Sequence, residues 1–405
     1  MEDIHLRDKI KQLAEQHFKD IVGIRRHIHQ HPELSFEEVK TSLYIQEQLN
    51  STGIPFKKGF VGTGIAGWIN GRTEKGMTIA LRADMDGLPV HEKNDLPFKS
   101  QNEGKMHACG HDLHMSALLG ASRILHSLRN EFDGKIILIF QPAEEKLPGG
   151  ANLMLQEGVF ADGLPDVIIG QHVMPLLESG KIGYRPGKYM ASTDEIYLIV
   201  KGSGGHAAMP WQLTDPVLIA AHIIVALQQI VSRHANPAIP SVLSFGKVEA
   251  LGATNIIPSE VKMSGTFRTM NEVWRKEAHE KITQMAKAIA AGMGGDCEVD
   301  ILHGYPVLFN HEEYTRRAVS YSQRLLGEKN VVDLELRMTA EDFAYFAEKI
   351  PGVFYRFGIT DAEGKYSSPL HSSGFMADEE ALKTAMANMA YVAMCFLKDG
   401  PAPNL

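Results

Sequence analysis

A chain of 405 residues, 44% hydrophobic and 22% charged, has the composition of a soluble globular protein with room for two or three domains. A formal charge of -8 and a pI near 6.1 argue against nucleic acid or anionic membrane as the main partner, and no apolar run reads as a membrane span. The polar start Met1-Glu2-Asp3-Ile4-His5 lacks an apolar signal core, and three widely spaced cysteines make no disulfide framework, so a reducing cytoplasm is expected.

Leu6, Ile10, Leu13, Ile21 and Ile24 recur at helical intervals, so residues 4–28 should open the chain as an amphipathic helix. Residues 25–33 follow, with His27, His29 and His31 alternating. No carboxylate or cysteine stands there at ligand spacing, which favours a polar turn stopped by Pro32 over a metal site. A second helix is expected over residues 35–51. Gly62-Thr63-Gly64-Ile65-Ala66-Gly67 has the letters of a dinucleotide fingerprint, whose physics needs a helix starting at the glycines. Trp68-Ile69-Asn70-Gly71 reads instead as a strand ending in a turn, which argues against a coenzyme-dependent dehydrogenase.

Three strands then repeat one design. Residues 77–82 run into Asp84 and Asp86, residues 135–140 into Glu144 and Glu145, and residues 166–170 into His172. Near-continuous apolar runs separated by helical stretches predict an α/β fold with a mostly parallel sheet flanked by helices. Ligands of such sheets bind beyond the carboxyl ends of the strands, where all five of these groups fall. Between the first two strands lies Met106-His107-Ala108-Cys109-Gly110-His111-Asp112-Leu113-His114. Cys109 and His111 are good transition-metal donors and can face one ion from a turn. Taken alone, the pair reads equally as a buried thiol beside a surface imidazole. Leu113, Ala117, Leu118, Ala121, Ile124, Leu125 and Leu128 predict a helix with Asp112 at its N-cap. The positive end of that helix, and any bound metal, would favour Cys109 as thiolate.

Beyond residue 187 the pattern changes. A strand at 195–201 and the loop Gly202-Ser203-Gly204-Gly205-His206 are followed by a helix at 216–233. Strands at 241–248 and 260–268, a helix at 272–292 and a strand at 297–303 complete the run. This order predicts an inserted α+β, ferredoxin-like domain over 188–303, dividing a catalytic domain into 1–187 and 304–405. Helices at 312–326 and 340–349, a strand at 352–358, the loop holding His371 and a helix at 379–397 resume the first domain. Cys297 and Cys395 are expected to be structural, and Met386, Met389 and Met394 to lie in the core.

These motifs together give the chain a resemblance that covers nearly its whole length. It resembles the metal-dependent aminoacylase and carboxypeptidase family, in the amidohydrolase branch of hippurate hydrolases and indole-acetyl-amino-acid hydrolases. The likeness runs through His29-Gln30-His31-Pro32-Glu33, Arg82-Ala83-Asp84-Met85-Asp86, Cys109-Gly110-His111-Asp112, Gln141-Pro142-Ala143-Glu144-Glu145, Gly205-His206-Ala207-Ala208, Asn255-Ile256-Ile257-Pro258, Glu341-Asp342-Phe343 and His371. Gly87 stands where the branch usually has alanine, and Lys146-Leu147-Pro148 lengthens the loop after the glutamates.

The resemblance implies two divalent ions per subunit (zinc, manganese, cobalt or nickel) held by Cys109, His111, Glu145, His172 and His371. It implies Glu144 as general acid/base toward a metal-activated water and Asp86 as the residue that orients a ligand. It leaves Asp84 outside the ligand set, and His114 as either an outer-sphere donor or a helix-surface residue. It implies that His206 reaches a neighbouring subunit's site to stabilise the oxyanion, and that Asn255 and Arg268 contact the substrate. The implied reaction is hydrolysis of an N-acyl-L-amino acid, a small molecule, by a homodimer or higher homo-oligomer, with the inserted domain as lid and dimerisation surface. A dipeptidase or carboxypeptidase of the same fold is the alternative. A metal-stabilised binding protein without turnover would have no use for Glu144 beside a ligand.

Overall fold

The computed structural model describes residues 2–73 and 75–402. Eight strands form one mixed sheet, in the order Phe56–Phe60, Gly64–Asn70, Lys135–Gln141, Thr78–Asp84, Val167–Glu178, Gly352–Thr360, Ile182–Tyr184 and Val331–Asp333. The four central strands, from Lys135–Gln141 to Gly352–Thr360, are mutually parallel. Gly352–Thr360 is buried along its whole length, and Lys135–Gln141 and Thr78–Asp84 all but at their first residues, as near-continuous apolar runs require. Antiparallel pairings on both flanks make the sheet mixed. Helices Glu2–Gln30, His111–Ser127 and Ala381–Asp399 pack on one another, and the last two also pack on sheet strands. Cys395, Met386, Met389 and Met394 are core residues.

The chain divides into two compact units. The sheet above belongs to the first, which comprises the residues through Tyr189, Phe309–Glu335 and those from Asp342 onward. Met190–Leu308 and Leu336–Glu341 form the second. Its four strands are antiparallel in the order Ser241–Glu249, Glu260–Thr269, Asp194–Lys201 and Asp296–His303. With helices Pro216–Gln229 and Glu272–Gly292 between them, this is a split β-α-β arrangement of the ferredoxin-like kind. Strand Asp194–Lys201 alternates, burying Ile196, Leu198 and Val200 in the unit's core with Ile219, Ile223, Ala278 and Ile282.

Several local expectations change. The first helix continues to Gln30, so His27 and His29 lie in its last turn rather than in a polar turn. Pro32 restricts the residue before it and leaves the earlier backbone helical. The second helix starts at Val39, because Phe36 sits at φ 70°, outside any right-handed helix. Contrary to the reading of no membrane-length apolar run, Pro216–His234 is long and apolar enough by length and composition. Its Ile219, Ile223, Leu227 and Ile230 are buried in the second unit's own core.

Candidate metal centre

Gly110 explains why a thiol and an imidazole two residues apart face one point. It lies at φ 89°, and a Cβ there would come within 2.7 Å of Val173 Cγ2. Only glycine fits this turn, and the helix begins at His111 with Gly110, not Asp112, as its N-cap. Asp112 instead turns its carboxylate to Arg25 Nε and His29 Nδ1, each 2.8 Å from Oδ2. Burial alone would raise the Asp112 carboxyl, but Arg25 and then His29 hold it far below the usual range.

The structure brings the five nominated donors of the first unit into overlapping groups. Donor atoms of Cys109, His111 and His172 lie within 4.8 Å of one another, and so do those of Cys109, Glu145 and His371. Cys109 Sγ is 3.3 Å from His172 Nε2, and His371 Nε2 is 3.2 Å from Glu145 Oε1. His172 Nδ1 lies 2.9 Å from the Val173 carbonyl, which can only accept, so Nε2 presents its lone pair. His172 stands within Val167–Glu178 rather than beyond its strand, because that strand runs on past Gly170. His371 takes φ 61° and is anchored by its N–H donating to Ala108 O at 2.9 Å.

Asp84 and Asp86 divide the surrounding work. Asp86 Oδ1 is 3.3 Å from His111 Nδ1, leaving Nε2 toward Glu145 Oε1 at 3.9 Å. Asp84 Oδ1 accepts from His114 Nδ1 at 2.6 Å, and His114 Nε2 accepts the Val173 N–H at 3.0 Å. His114 is therefore a buried brace with both nitrogens committed, not a surface residue. Arg82 donates to Asp84, Gln141 and Asp342, and Asp342 also accepts from Gln141 and the Ala151 N–H. Sequence reasoning gave Arg82, Asp342, Arg25 and Glu38 no role. The one available signal was the four-residue spacing of Arg25 and His29, which puts both on one helix face.

The electrostatics of this cluster call for added positive charge. Burial lowers the His111 imidazolium, yet Asp84 and Asp86 raise it to about 10, the mark of a place that favours positive charge. Burial, then Glu145, Glu144 and Asp84, push the Cys109 thiol well above its ordinary value. Burial and the neighbouring carboxylates thus outweigh the helix terminus, and a bound cation is what would favour the thiolate. His111 Nε2, fully buried, has no hydrogen-bond partner. Soft and borderline donors, an unpaired imidazole nitrogen and four nearby carboxylates fit a pair of divalent transition-metal ions.

His206, Asn255 and Arg268 belong to the second unit. His206 is exposed on a two-residue strand paired with Ile256–Ile257, and its Nδ1 accepts from Ala208 N–H at 3.1 Å. Asn255 O accepts the Ala207 N–H, and Arg268 Nη1 donates to Met338 O at 3.1 Å.

Comparison with known proteins bears on this geometry. The profile of peptidase family M20/M25/M40 matches residues 80–394. An N-acyl-L-amino acid amidohydrolase of Geobacillus stearothermophilus is 41% identical over 307 residues, 76% of this chain and 82% of that protein. Thermostable carboxypeptidase 1 of Saccharolobus solfataricus is 38% identical over 379 residues, 93% of this chain and 95% of that protein. Among solved structures, the Bacillus subtilis YXEP protein, described as a dinuclear metal binding peptidase, is 35% identical with a TM-score of 0.81, covering 95% of this chain and 99% of that one.

Proposed function

The chain belongs to peptidase family M20/M25/M40 and is a hydrolase of amide bonds, and on that premise we propose that it is a metal-dependent amidohydrolase of N-acyl-L-amino acids. The products would be a carboxylate and a free amino acid. The observation that carries this reading is the sharing of Cys109 between two donor groups, with Glu144 as a further carboxylate beside His111 and Glu145.

Cys109, His111 and His172 would hold one divalent ion, Cys109, Glu145 and His371 the other, with Cys109 common to both. When bound, such ions supply charge that lowers the pKa of water and polarises an amide carbonyl. The proton handling falls to Glu144, which takes the proton of the attacking water and passes it to the leaving nitrogen. Asp86 keeps His111 in one orientation, and the Val173 carbonyl fixes the tautomer of His172. In the second unit, His206 would donate to the developing oxyanion and Asn255 would contact the substrate. Arg268 suits the free carboxylate through its paired donors. The three cysteines are buried and form no disulfide, which fits a reducing compartment, and we assign the enzyme to the cytoplasm as a homo-oligomer.

The carboxypeptidase relative favours a second reading, release of a C-terminal residue from a peptide. Purified protein stripped with a chelator and reloaded with zinc, manganese, cobalt or nickel separates the two. Benzoyl-glycine, acetyl-leucine, acetyl-aspartate and indole-acetyl-alanine should release amino acid faster than dipeptides do. Full activity after exhaustive chelation would sink the metal-dependent reading, and preference for dipeptides would select the second.

A further inference from the structure

Three consecutive backbone N–H groups at the turn after strand Lys135–Gln141 each end on a buried carboxylate. Ala143 N donates to Glu38 Oε1 at 2.8 Å, Glu144 N to Asp86 Oδ1 at 3.1 Å, and Glu145 N to Asp86 Oδ2 at 3.0 Å. Successive N–H groups converging on negative charge form a nest, and here the anions are side chains of the chain itself. Asp86 has a role already, toward His111. Glu38 has none, although it is fully buried.

Burying a carboxylate is costly unless its oxygens are hydrogen-bonded. Glu38 Oε1 accepts a second N–H, from Phe36 at 3.0 Å, and Oε2 accepts from Thr63 Oγ1 at 3.0 Å. Both N–H donors to Oε1 belong to non-glycine residues at positive φ, 70° for Phe36 and 52° for Ala143. Among the described residues only Val61 and His371 share that condition. Side-chain-bearing residues stay in this region only when their surroundings hold them. Ala143 is held from the other side as well, its carbonyl accepting the Gly150 N–H at 2.9 Å. Glu38 is not spent on capping the helix that follows it, since its side chain makes no cap hydrogen bond there. The neighbouring Ser35 Oγ donates to Asp86 Oδ2 at 2.6 Å, so the segment 35–38 braces both carboxylates of the nest.

We infer that Glu38 is a positioning residue: by accepting the Ala143 N–H it fixes the left-handed turn that carries Glu144 and Glu145 to His111. The inference rests on the reading of those two glutamates proposed above. The working property is reach, not charge. Burial and then the Asp86 charge push the Glu38 carboxyl up to about 7, and Oε1 can accept both N–H groups in the charged form and equally in the neutral form. Glutamine imitates that form, with Oε1 accepting as before and Nε2 donating to Thr63. Aspartate keeps the charge but is one methylene too short.

The test compares Glu38→Gln, Glu38→Asp and Glu38→Ala in the full chain. The readouts are kcat and KM of the metal-loaded enzyme, metal content, and amide hydrogen exchange over residues 141–150 in the chelated protein. Glu38→Asp and Glu38→Ala should lower kcat about a hundred-fold with little change in KM, the penalty of misplacing a reacting group by about an ångström. Exchange over residues 141–150 should quicken in both, while Glu38→Gln retains most of the activity and the slow exchange. Adding Ala143→Gly to Glu38→Asp should restore part of kcat, because glycine takes positive φ without support. Wild-type kcat in Glu38→Asp would overturn the inference, and so would equal losses in the aspartate and glutamine variants. If Glu38→Ala fails to fold, the aspartate–glutamine contrast decides alone. A wild-type chain that hydrolyses neither acyl amino acids nor dipeptides would defeat the proposed function, and the exchange contrast would still judge Glu38.

Discussion

Glu144 and Glu145 are chemically identical neighbours, so only their surroundings can give them different work. Both share a donor group with His111, but Glu145 alone also joins Cys109 and His371. Glu144→Gln should therefore keep its metal and lose about two to four powers of ten in kcat, the usual range for a general acid or base. Glu145→Gln should lose metal along with rate, and elemental analysis of the two variants would expose a reversed assignment. Cys109 is the one donor common to the group that holds His172 and the group that holds His371. Cys109→Ala should deplete both ions, whereas His371→Ala should deplete one. Equal stoichiometry in the two variants would show that the thiol is not shared. Cys109, Glu144 and Glu145 were legible in the sequence because each sits in a short run of donors, whereas His371, alone in its loop, was reached through the resemblance. Their division of labour was not, since it depends on side chains up to about 260 positions apart, such as Arg82 and Asp342.

At the scale of elements, the second unit is pinned by one buried ion cluster. Asp194, at the start of strand Asp194–Lys201, accepts from Arg275 Nε at 2.9 Å, Arg275 Nη2 at 2.6 Å, His279 Nε2 at 2.7 Å and the Gly304 N–H at 3.2 Å. It thereby ties its strand to helix Glu272–Gly292 and to the loop after Asp296–His303. Burial would raise the Asp194 carboxyl, but the hydrogen bonds from His279 and Arg275 outweigh it and hold it below the ordinary value. A depressed carboxylate stabilises the fold above its unfolded pKa and loses that contribution as pH falls through its folded value. Asp194→Asn removes the buried carboxylate from Arg275, which keeps Glu272 and the Thr193 and Gly304 carbonyls, and should cost on the order of 1–3 kcal/mol at neutral pH. The gap from wild type in denaturant unfolding should narrow below about pH 4. A gap independent of pH would show that the carboxylate's charge contributes nothing. The helices and strands of this unit were legible from periodicity, but this cluster was not, since its members are scattered from 194 to 304.

For the whole molecule, the proposed roles of His206 and Glu144 lie in different units, and the resemblance implies that His206 serves a neighbouring subunit's site. His206→Ala should lower kcat more than it raises KM, by about a hundred- to a thousand-fold, as loss of an oxyanion donor does. Mixing His206→Ala chains with Glu144→Gln chains should restore partial activity, because a mixed dimer then has one complete site. No recovery in demonstrated mixed dimers would confine His206 to its own chain or remove it from the reaction.

The sequence by itself determined the α/β class and the donor types, because these follow from local spacing, while the family followed from the resemblance its motifs carry. An apolar run fixes a buried strand, a period of 3.6 fixes a helix face, and Cys-Gly-His fixes two donors on one turn. Tertiary structure decided everything that depends on burial and pairing across the chain. It put His29 beside Asp112 rather than in a polar turn, and made His114 a brace. It buried the thiol of Cys109 among Glu144, Glu145 and Asp84, which push its pKa up, and set Glu38 under Ala143. The physical reason is the same in each case: a side chain's charge, tautomer and partner are set by what packing brings within about 4 Å, and no spacing along the chain states which groups those are.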